Sequence, residues 1–413
     1  MHNLSRVRVY ILPFSDLTQQ YVADWIEITT DLMTNAFASL TQKLDNKEYD
    51  VGIFNFADST ITLRNDHGKY NKPGDPNTLF GYKRGGTKIK MTYMLQDDPP
   101  WCGVAICGQA KIFEEQTMFT GLLSDDDTDE DMVEQNIVFR VLGLESIFKE
   151  TIVNFGSISN GDLFSDIIYT ILNQSKITEL MTVSALNISV GTDQAIDSIA
   201  GLQNKTVKET LDEILMLSNS ILYTDRNNVL YVSPRVATPS FQWYFFGQAS
   251  VDGAESIQNL SDIRNGLNRT FNWIRWEATT LVSEDANSTA KYGIRSKEIG
   301  SDTIIVDAKR NAILQNIRDY FGTPKRELEL TTIIKDYDIF DIFILDKVSI
   351  DFPTIYQIKE GGSYPIYDSS LYDVAEYPLA EGSLEILPSE EWMVTGRKID
   401  FRNQLITYNL REV

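Results

Sequence analysis

The chain has 413 residues, 42% hydrophobic and 11% aromatic, with 12 prolines, a folded globular composition that excludes disordered and collagenous classes and has room for about two to four domains. Its formal net charge of −22 argues against a nucleic-acid binder, because phosphate contacts need clustered Lys and Arg. The same charge serves solubility, or, in a protein lining a DNA conduit, keeps the passing polyanion from sticking.

Alternation of apolar and polar residues marks half-buried strands at 6–11, 51–56, 59–64 and 88–93. Pro and Gly at 72–76 and 84–86 punctuate the interval before the last of these. The type of 31–45 stays open, because Met33, Phe37, Leu40 and Leu44 fall at helical spacing. An acidic run at 125–131, Asp-Asp-Asp-Thr-Asp-Glu-Asp, reads as a hairpin tip before a strand at 137–142. A calcium loop counted from Asp125 would need Gly and Glu where Glu130 and Asn136 stand. A solvated, self-repelling loop is the expectation there.

The pattern changes at about 145–236. Leu163, Phe164, Ile167, Ile168, Ile171 and Leu172 form one stripe of a helix beginning near Asp162. Thr206-Val207-Lys208-Glu209 is a capping box that opens a second helix, with Val207, Leu211, Ile214 and Leu215 on its apolar face. A hairpin follows, 221–224 and 229–232 around the turn at 225–228. Strand character returns at 267–273, and a helix carrying Ile313, Ile317, Tyr320 and Phe321 opens near Asp307 and stops at Gly322 with Pro324 beyond. Past it lie strands at 328–330 and 347–350, a Tyr- and Pro-rich excursion and two closing strands.

The predicted fold is therefore mainly β with α+β insertions: two similar tube-forming β-barrel domains at 1–145 and 241–413, and an inserted α+β domain at 146–240. The second barrel carries the helix 307–321 and the excursion 351–390. An internal echo supports the pairing of the two β-rich ends. Residues 60–64 parallel 327–331, 88–91 parallel 347–350, and Phe119-Thr120-Gly121 with Asp125 parallels Val394-Thr395-Gly396 with Asp400. The alternating strand at 137–142 then matches the one at 405–410. With two like barrels per chain, three chains would give a ring with a sixfold inner appearance.

Catalytic chemistry is sparse. His2 and His67 are the only histidines, too few for a Ser or Cys triad built in the usual way. The nearest approach to a nucleophile elbow, 156–161, has Ile158 in place of serine. No phosphate loop or dinucleotide fingerprint is present. Cys102 and Cys107 lack the spacing and companions of a zinc site, and read as buried thiols with a disulfide as the alternative. Glu390-Glu391-Trp392 reads as a solvated loop rather than a glycosidase pair. Trp243, Tyr244, Phe245 and Phe246 read as an interface strand, with sugar stacking as the rival. No catalytic, cofactor-binding or metal-binding residue is assigned. The N-terminus lacks a signal peptide's basic start and apolar core, and no apolar run is long enough to span a membrane.

Several of these segments, taken in order, resemble the hub proteins at the tip of phage tails and in the baseplates of contractile injection machines. They are 49–56 (Tyr-Asp-Val-Gly-Ile-Phe-Asn-Phe) leading to 63–66 (Leu-Arg-Asn-Asp), 119–123 (Phe-Thr-Gly-Leu-Leu) before 141–144 (Val-Leu-Gly-Leu), and the helix and hairpin ending Leu230-Tyr231-Val232. Tyr292-Gly293-Ile294-Arg295 precedes the third helix, Lys325-Arg326-Glu327-Leu328 follows it, and 409–413 (Asn-Leu-Arg-Glu-Val) closes the series. The resemblance implies a non-enzymatic structural protein of the virion, made in the host cytoplasm and assembled as a homotrimer that lines the DNA exit channel. It also implies contacts with a tail tube or distal tail protein, with spike or tail fibre proteins and with the tape measure protein. Specific nucleic-acid binding and membrane insertion are not expected. A carbohydrate-binding tail-tip adhesin is the alternative, and a cell-wall-degrading tail enzyme ranks third.

Overall fold

The computed structural model describes residues 7–15, 20–21, 24–33, 39–46, 51–56, 59–70, 86–94, 115–131, 135–237, 241–246, 255–264, 266–334, 338–351, 390–401 and 403–413. His2, Cys102, Cys107 and nearly all of the Tyr/Pro-rich excursion lie outside the described residues.

The N-terminal sheet arises from the alternation seen in the sequence. β1 (Val7–Leu12) buries Val7, Val9 and Ile11 and leaves the residues between them half-exposed. The two-residue strands β2 (Phe14–Ser15) and β3 (Gln20–Tyr21) pair with each other. β4 (Ile26–Glu27), β5 (Ser39–Asn46), β6 (Val51–Phe56), β7 (Ser59–Arg64), β8 (Lys88–Met94), β9 (Glu115–Asp131) and β10 (Asn136–Gly143) follow. Six of these form a sheet in the order β4-β1-β8-β9-β10-β7. The stretch after β4 closes it: the Ile28 N–H donates to the Val9 carbonyl at 2.9 Å, and the Met33 N–H to the Thr62 carbonyl at 3.1 Å, beside an antiparallel bridge from Leu32 to Leu63.

β5 and β6 leave this barrel. The open segment 31–45 resolves as strand from Ser39 onward, because its register places Leu40, Gln42 and Leu44 on one buried face. The acidic run, expected as a hairpin tip, belongs instead to the long strand β9, whose last residue, Asp131, pairs with Asn136 of β10. Between Ser124 and Asp129 the ladder advances only from Arg140 to Val138 on β10. The surplus residues of β9 therefore bulge out of the ladder, a geometry that suits consecutive like charges.

The mixed region opens with α1 (Ile147–Glu150), α2 (Phe164–Leu172), α3 (Ser175–Thr178) and α4 (Val207–Ser218), then the hairpin β11 (Ser220–Thr224) and β12 (Leu230–Pro234). Phe164, Ile167, Ile168, Ile171 and Leu172 are buried as the stripe required, whereas Leu163 is the N-cap, extended and 39% exposed. The capping box is present in both directions, Glu209 N–H to Thr206 Oγ1 at 3.2 Å and Thr206 N–H to Glu209 Oε2 at 2.8 Å. Thr206→Ala is expected to lower stability by about 1 kcal/mol, read as a shift in the urea midpoint with an unchanged slope.

The remaining elements are β13 (Phe241–Phe246), β14 (Glu255–Arg264), β15 (Trp273–Trp276), β16 (Val282–Glu284), α5 (Ala286–Tyr292), β17 (Ser296–Ile299), α6 (Asp307–Phe321), β18 (Glu327–Ile333), β19 (Lys347–Asp351), β20 (Glu390–Asp400) and β21 (Leu405–Glu412). The strand expected at 267–273 starts later, at Trp273. Gly266 takes φ +63°, and its carbonyl accepts from the Thr270 hydroxyl at 3.2 Å, which turns 267–269 into a 3-10 turn first. α6 packs Ile313, Leu314, Ile317 and Phe321 into the same core as α2 and α4, together with Ile274, Trp276 and Ile299 of the small sheet β16-β15-β17.

The C-terminal sheet closes on itself: β20-β19-β13-β14-β18-β21, with β21 pairing back to β20. The molecule is thus mainly β, two closed sheets with mixed α/β insertions. The echo in the sequence is real as strand order, since β8-β9-β10-β7 and β19-β20-β21-β18 follow the same path with every pairing antiparallel. The register is not the one matched by sequence. Gly121 faces Ile89, whereas Gly396 lies past Met393, where the β19 ladder ends, and faces Asn409. The next wall strand also differs, for β1 runs antiparallel to β8 and β13 parallel to β19.

One apolar core runs through both barrels. Tyr93 of β8 meets Phe340 at 5.5 Å and Phe401 at 5.8 Å between ring centroids, across the seam. β5 pairs with β20 and β6 with β11, so the 39–56 hairpin extends the C-terminal sheet outward to β12.

Candidate functional site

Three bodies meet at one junction: the two barrels and the tip of the β11–β12 hairpin. The tip is shaped by Asp225, whose carboxylate accepts the backbone N–H groups of Asn227 and Val229, both at 2.8 Å. That turn projects Arg226, which donates to Gln116 Oε1 of β9 at 2.9 Å and pairs with Asp341 at 2.8 Å. One side chain of the hairpin therefore touches both barrels. Lys88 of β8 adds a second tie, its ammonium donating to the Glu179 carbonyl at 3.2 Å, and burial holds its pKa below the ordinary lysine value.

Behind this tip, Arg397 of β20 is 4% exposed. Its guanidinium donates to Gln42 Oε1 and to the carbonyls of Phe340 and Ile342, at 3.0 and 3.2 Å, so it holds the 338–346 loop against β5 and β20. Burial lowers its pKa to about 10, and it stays charged at neutral pH. Asp346, on the same loop, accepts the Phe343 N–H at 2.6 Å. Burial pushes its carboxyl up to about 6, only partly opposed by that bond and by Arg397. A carboxyl raised on folding destabilises the native state fully above pH 6, and the penalty is relieved as pH falls toward its unfolded value. Asp346→Asn is therefore expected to flatten the part of the stability profile between about pH 4 and 6, as seen in urea midpoints of the two proteins measured across that range.

A second cluster joins α6 to β21. The Arg235 guanidinium lies 3.4 Å from the centroid of the Tyr320 ring, Lys325 Nζ 4.9 Å and the Arg411 guanidinium 5.0 Å from the same ring. Arg326 pairs with Glu412 at 2.9 Å and lies 5.4 Å from the Trp392 ring. Burial, then Arg411 and Arg235, hold the Lys325 ammonium below its usual range, while the Arg326 bond holds the Glu412 carboxyl below its own. The aromatic faces share cations that would otherwise repel.

The residues weighed for chemistry in the sequence scatter. Glu390-Glu391-Trp392 is not a solvated loop: it opens β20, Trp392 is 1% exposed, and Glu391 pairs with Lys347 at 2.5 Å. The backbone alternation of a strand turns Trp392 inward and Glu391 out. Residues 241–246 form β13, a wall strand between β19 and β14, with Phe245 fully buried 6.0 Å from the Tyr408 ring. The side chains of Trp243, Tyr244, Phe246 and His67 lie outside the described residues. Ile158 is buried. Among the described residues no group of three or more His, Cys, Asp or Glu could hold a metal ion, and no helix is long and apolar enough to cross a membrane. Sequence reading missed Arg226, Asp341, Asp346 and Arg397; the polar alternation around them carries no sign of a junction.

No family model matches the chain, and no curated protein matches it. Solved structures do. A 43 kDa tail protein of prophage MuSo2 from Shewanella oneidensis is 11% identical, with a TM-score of 0.51, covering 98% of this chain and 97% of that one. A tail protein from Neisseria meningitidis MC58 is 10% identical, with a TM-score of 0.55 and coverage of 98% and 97%. At this level of identity the likeness is one of fold, and it extends over nearly the whole of each chain.

Proposed function

We propose that the chain is a non-catalytic structural hub of a phage-type tail tip or baseplate, and that three copies enclose a channel. The carrying observation is the four-strand path β8-β9-β10-β7 repeated as β19-β20-β21-β18. Two like wall segments per chain let a threefold ring present six to a hexameric tube, the symmetry adaptation such a junction needs. The fold shared with the two tail proteins supports the same reading. In this arrangement the partners are a tail tube or distal tail protein, spike or fibre proteins, and the tape measure protein. DNA passes without specific binding, which the charge of −22 favours.

Native mass spectrometry of the purified protein tests the ring. The expected species has three times the 46.9 kDa chain mass, with threefold class averages in negative stain. A monomer at every concentration, or a closed dimer, rules the ring out. The sugar-binding alternative loses one of its stacking candidates, because Phe245 is fully buried.

A further inference from the structure

Between the β11–β12 hairpin and the loop before β19 lies a cleft of about 520 Å³. Ile344 and Leu345 line it, and belong to a small apolar cluster, separate from the two main cores, that also buries Phe54, Ile221 and Met393. One wall is aromatic. Tyr223 and Tyr231 stack at 5.4 Å with an interplanar angle of 15°, and Phe343 lies 5.6 Å from Tyr223.

The lining charges are unevenly satisfied. Asp341 is paired with Arg226. Arg397 donates to Gln42 and to two backbone carbonyls. Asp225 accepts two backbone N–H groups and Asp346 one, and neither forms an ion pair among the described residues. A recess with aromatic faces and carboxylates of this kind favours a cation carried on an apolar stem.

We propose that this cleft docks a peptide segment of a partner protein by taking up an arginine side chain between the Tyr223–Tyr231 wall and Asp346. A planar guanidinium stacks on tyrosine rings and donates to a carboxylate at the same time, which an ammonium does less well. The occupant is cationic because the host chain carries −22, which draws basic segments and repels acidic ones. The volume suits a few side chains rather than a folded domain. The assignment goes beyond the hub reading and does not depend on the ring: binding is measured on the full chain whatever its oligomeric state.

The test uses two probes on the full-length protein, the peptide Ac-Ala-Leu-Arg-Leu-Ala-NH2 and its twin with citrulline in place of arginine, titrated by calorimetry. The arginine peptide is expected to bind about tenfold more tightly than its neutral twin. In Asp346→Asn, whose amide oxygen can still accept the Phe343 N–H, the two affinities become equal. In Tyr231→Leu both peptides weaken several-fold, while the circular dichroism spectrum is retained. Equal affinity of the two peptides for the unmodified chain, absence of binding by either, or an undiminished arginine preference in Asp346→Asn each overturns the proposal.

Discussion

Arg397→Ala is expected to cost about 3 to 5 kcal/mol of folding stability, the range for removing one partner from a buried charged network. Arg397 is 4% exposed, and its guanidinium bonds Gln42 of β5 together with the Phe340 and Ile342 carbonyls of the 338–346 loop. Truncation leaves two buried carbonyls and a side-chain amide without that donor, and an unmade bond of this kind costs more than a made one gains. It also removes a cation that lowers the Asp346 carboxyl, which then rises further. Equilibrium urea unfolding checks the size of the loss. Arg397→Lys should recover only part of it, since an ammonium cannot span three acceptors in the same fork. A loss below about 1 kcal/mol for the alanine variant would mean that the loop is held by Tyr408, whose hydroxyl donates to the Ile339 carbonyl at 2.7 Å, and not by Arg397.

Gly266→Ala is expected to be comparably damaging, on the order of 3 kcal/mol, from a left-handed backbone and overpacking together. Gly266 stands where the 266–326 insertion leaves β14, with φ +63°, and a Cβ there would meet the Lys325 carbonyl oxygen at 1.8 Å. The obstruction is backbone, so no side chain can swing aside. The two ends of the insertion would part, straining the nearby Phe271 N–H bond to the Phe321 carbonyl, 2.9 Å, and the set of α6 beneath Arg235. Hydrogen exchange should localise the effect, with faster exchange at 267–272 and the end of α6 and unchanged protection in β8 and β10. Uniform loss of protection would place the damage elsewhere.

Much of the local structure is legible because its causes are local. The alternation of Val7, Val9 and Ile11, the apolar stripe of α2 and the Thr206–Glu209 capping box each need only neighbours a few residues away. The repeat is legible for a related reason, since strands of like pattern recur in like order. Its register is not, because alternating strands can slip by two residues or four while keeping the same faces buried. Gly121 and Gly396 look equivalent in sequence and occupy different rungs.

The junction was the hardest part to foresee. Arg226 meets Gln116 and Asp341 across sequence separations of roughly a hundred residues, and Arg397 meets Gln42 from the opposite end of the chain. Nothing near Gln42 or Asp346 distinguishes them from any other polar residue on a strand or loop. The acidic run misled because charge density suggests a turn, whereas it lies within β9, its last three residues, Asp129 to Asp131, paired with β10 and its first four bulged out of the ladder.

By itself the sequence determined the fold class, the position of α6 and the order in which matching strands recur along the two β-rich ends, since these follow from hydrophobic period and from punctuation by Gly and Pro. Only the tertiary structure decided that the 39–56 hairpin serves the other barrel, that the two insertions share one core, and that Arg226, Asp346 and Arg397 stand at one junction. Those outcomes depend on which surfaces bury against each other, and burial is a property of the packed chain as a whole rather than of any window along it.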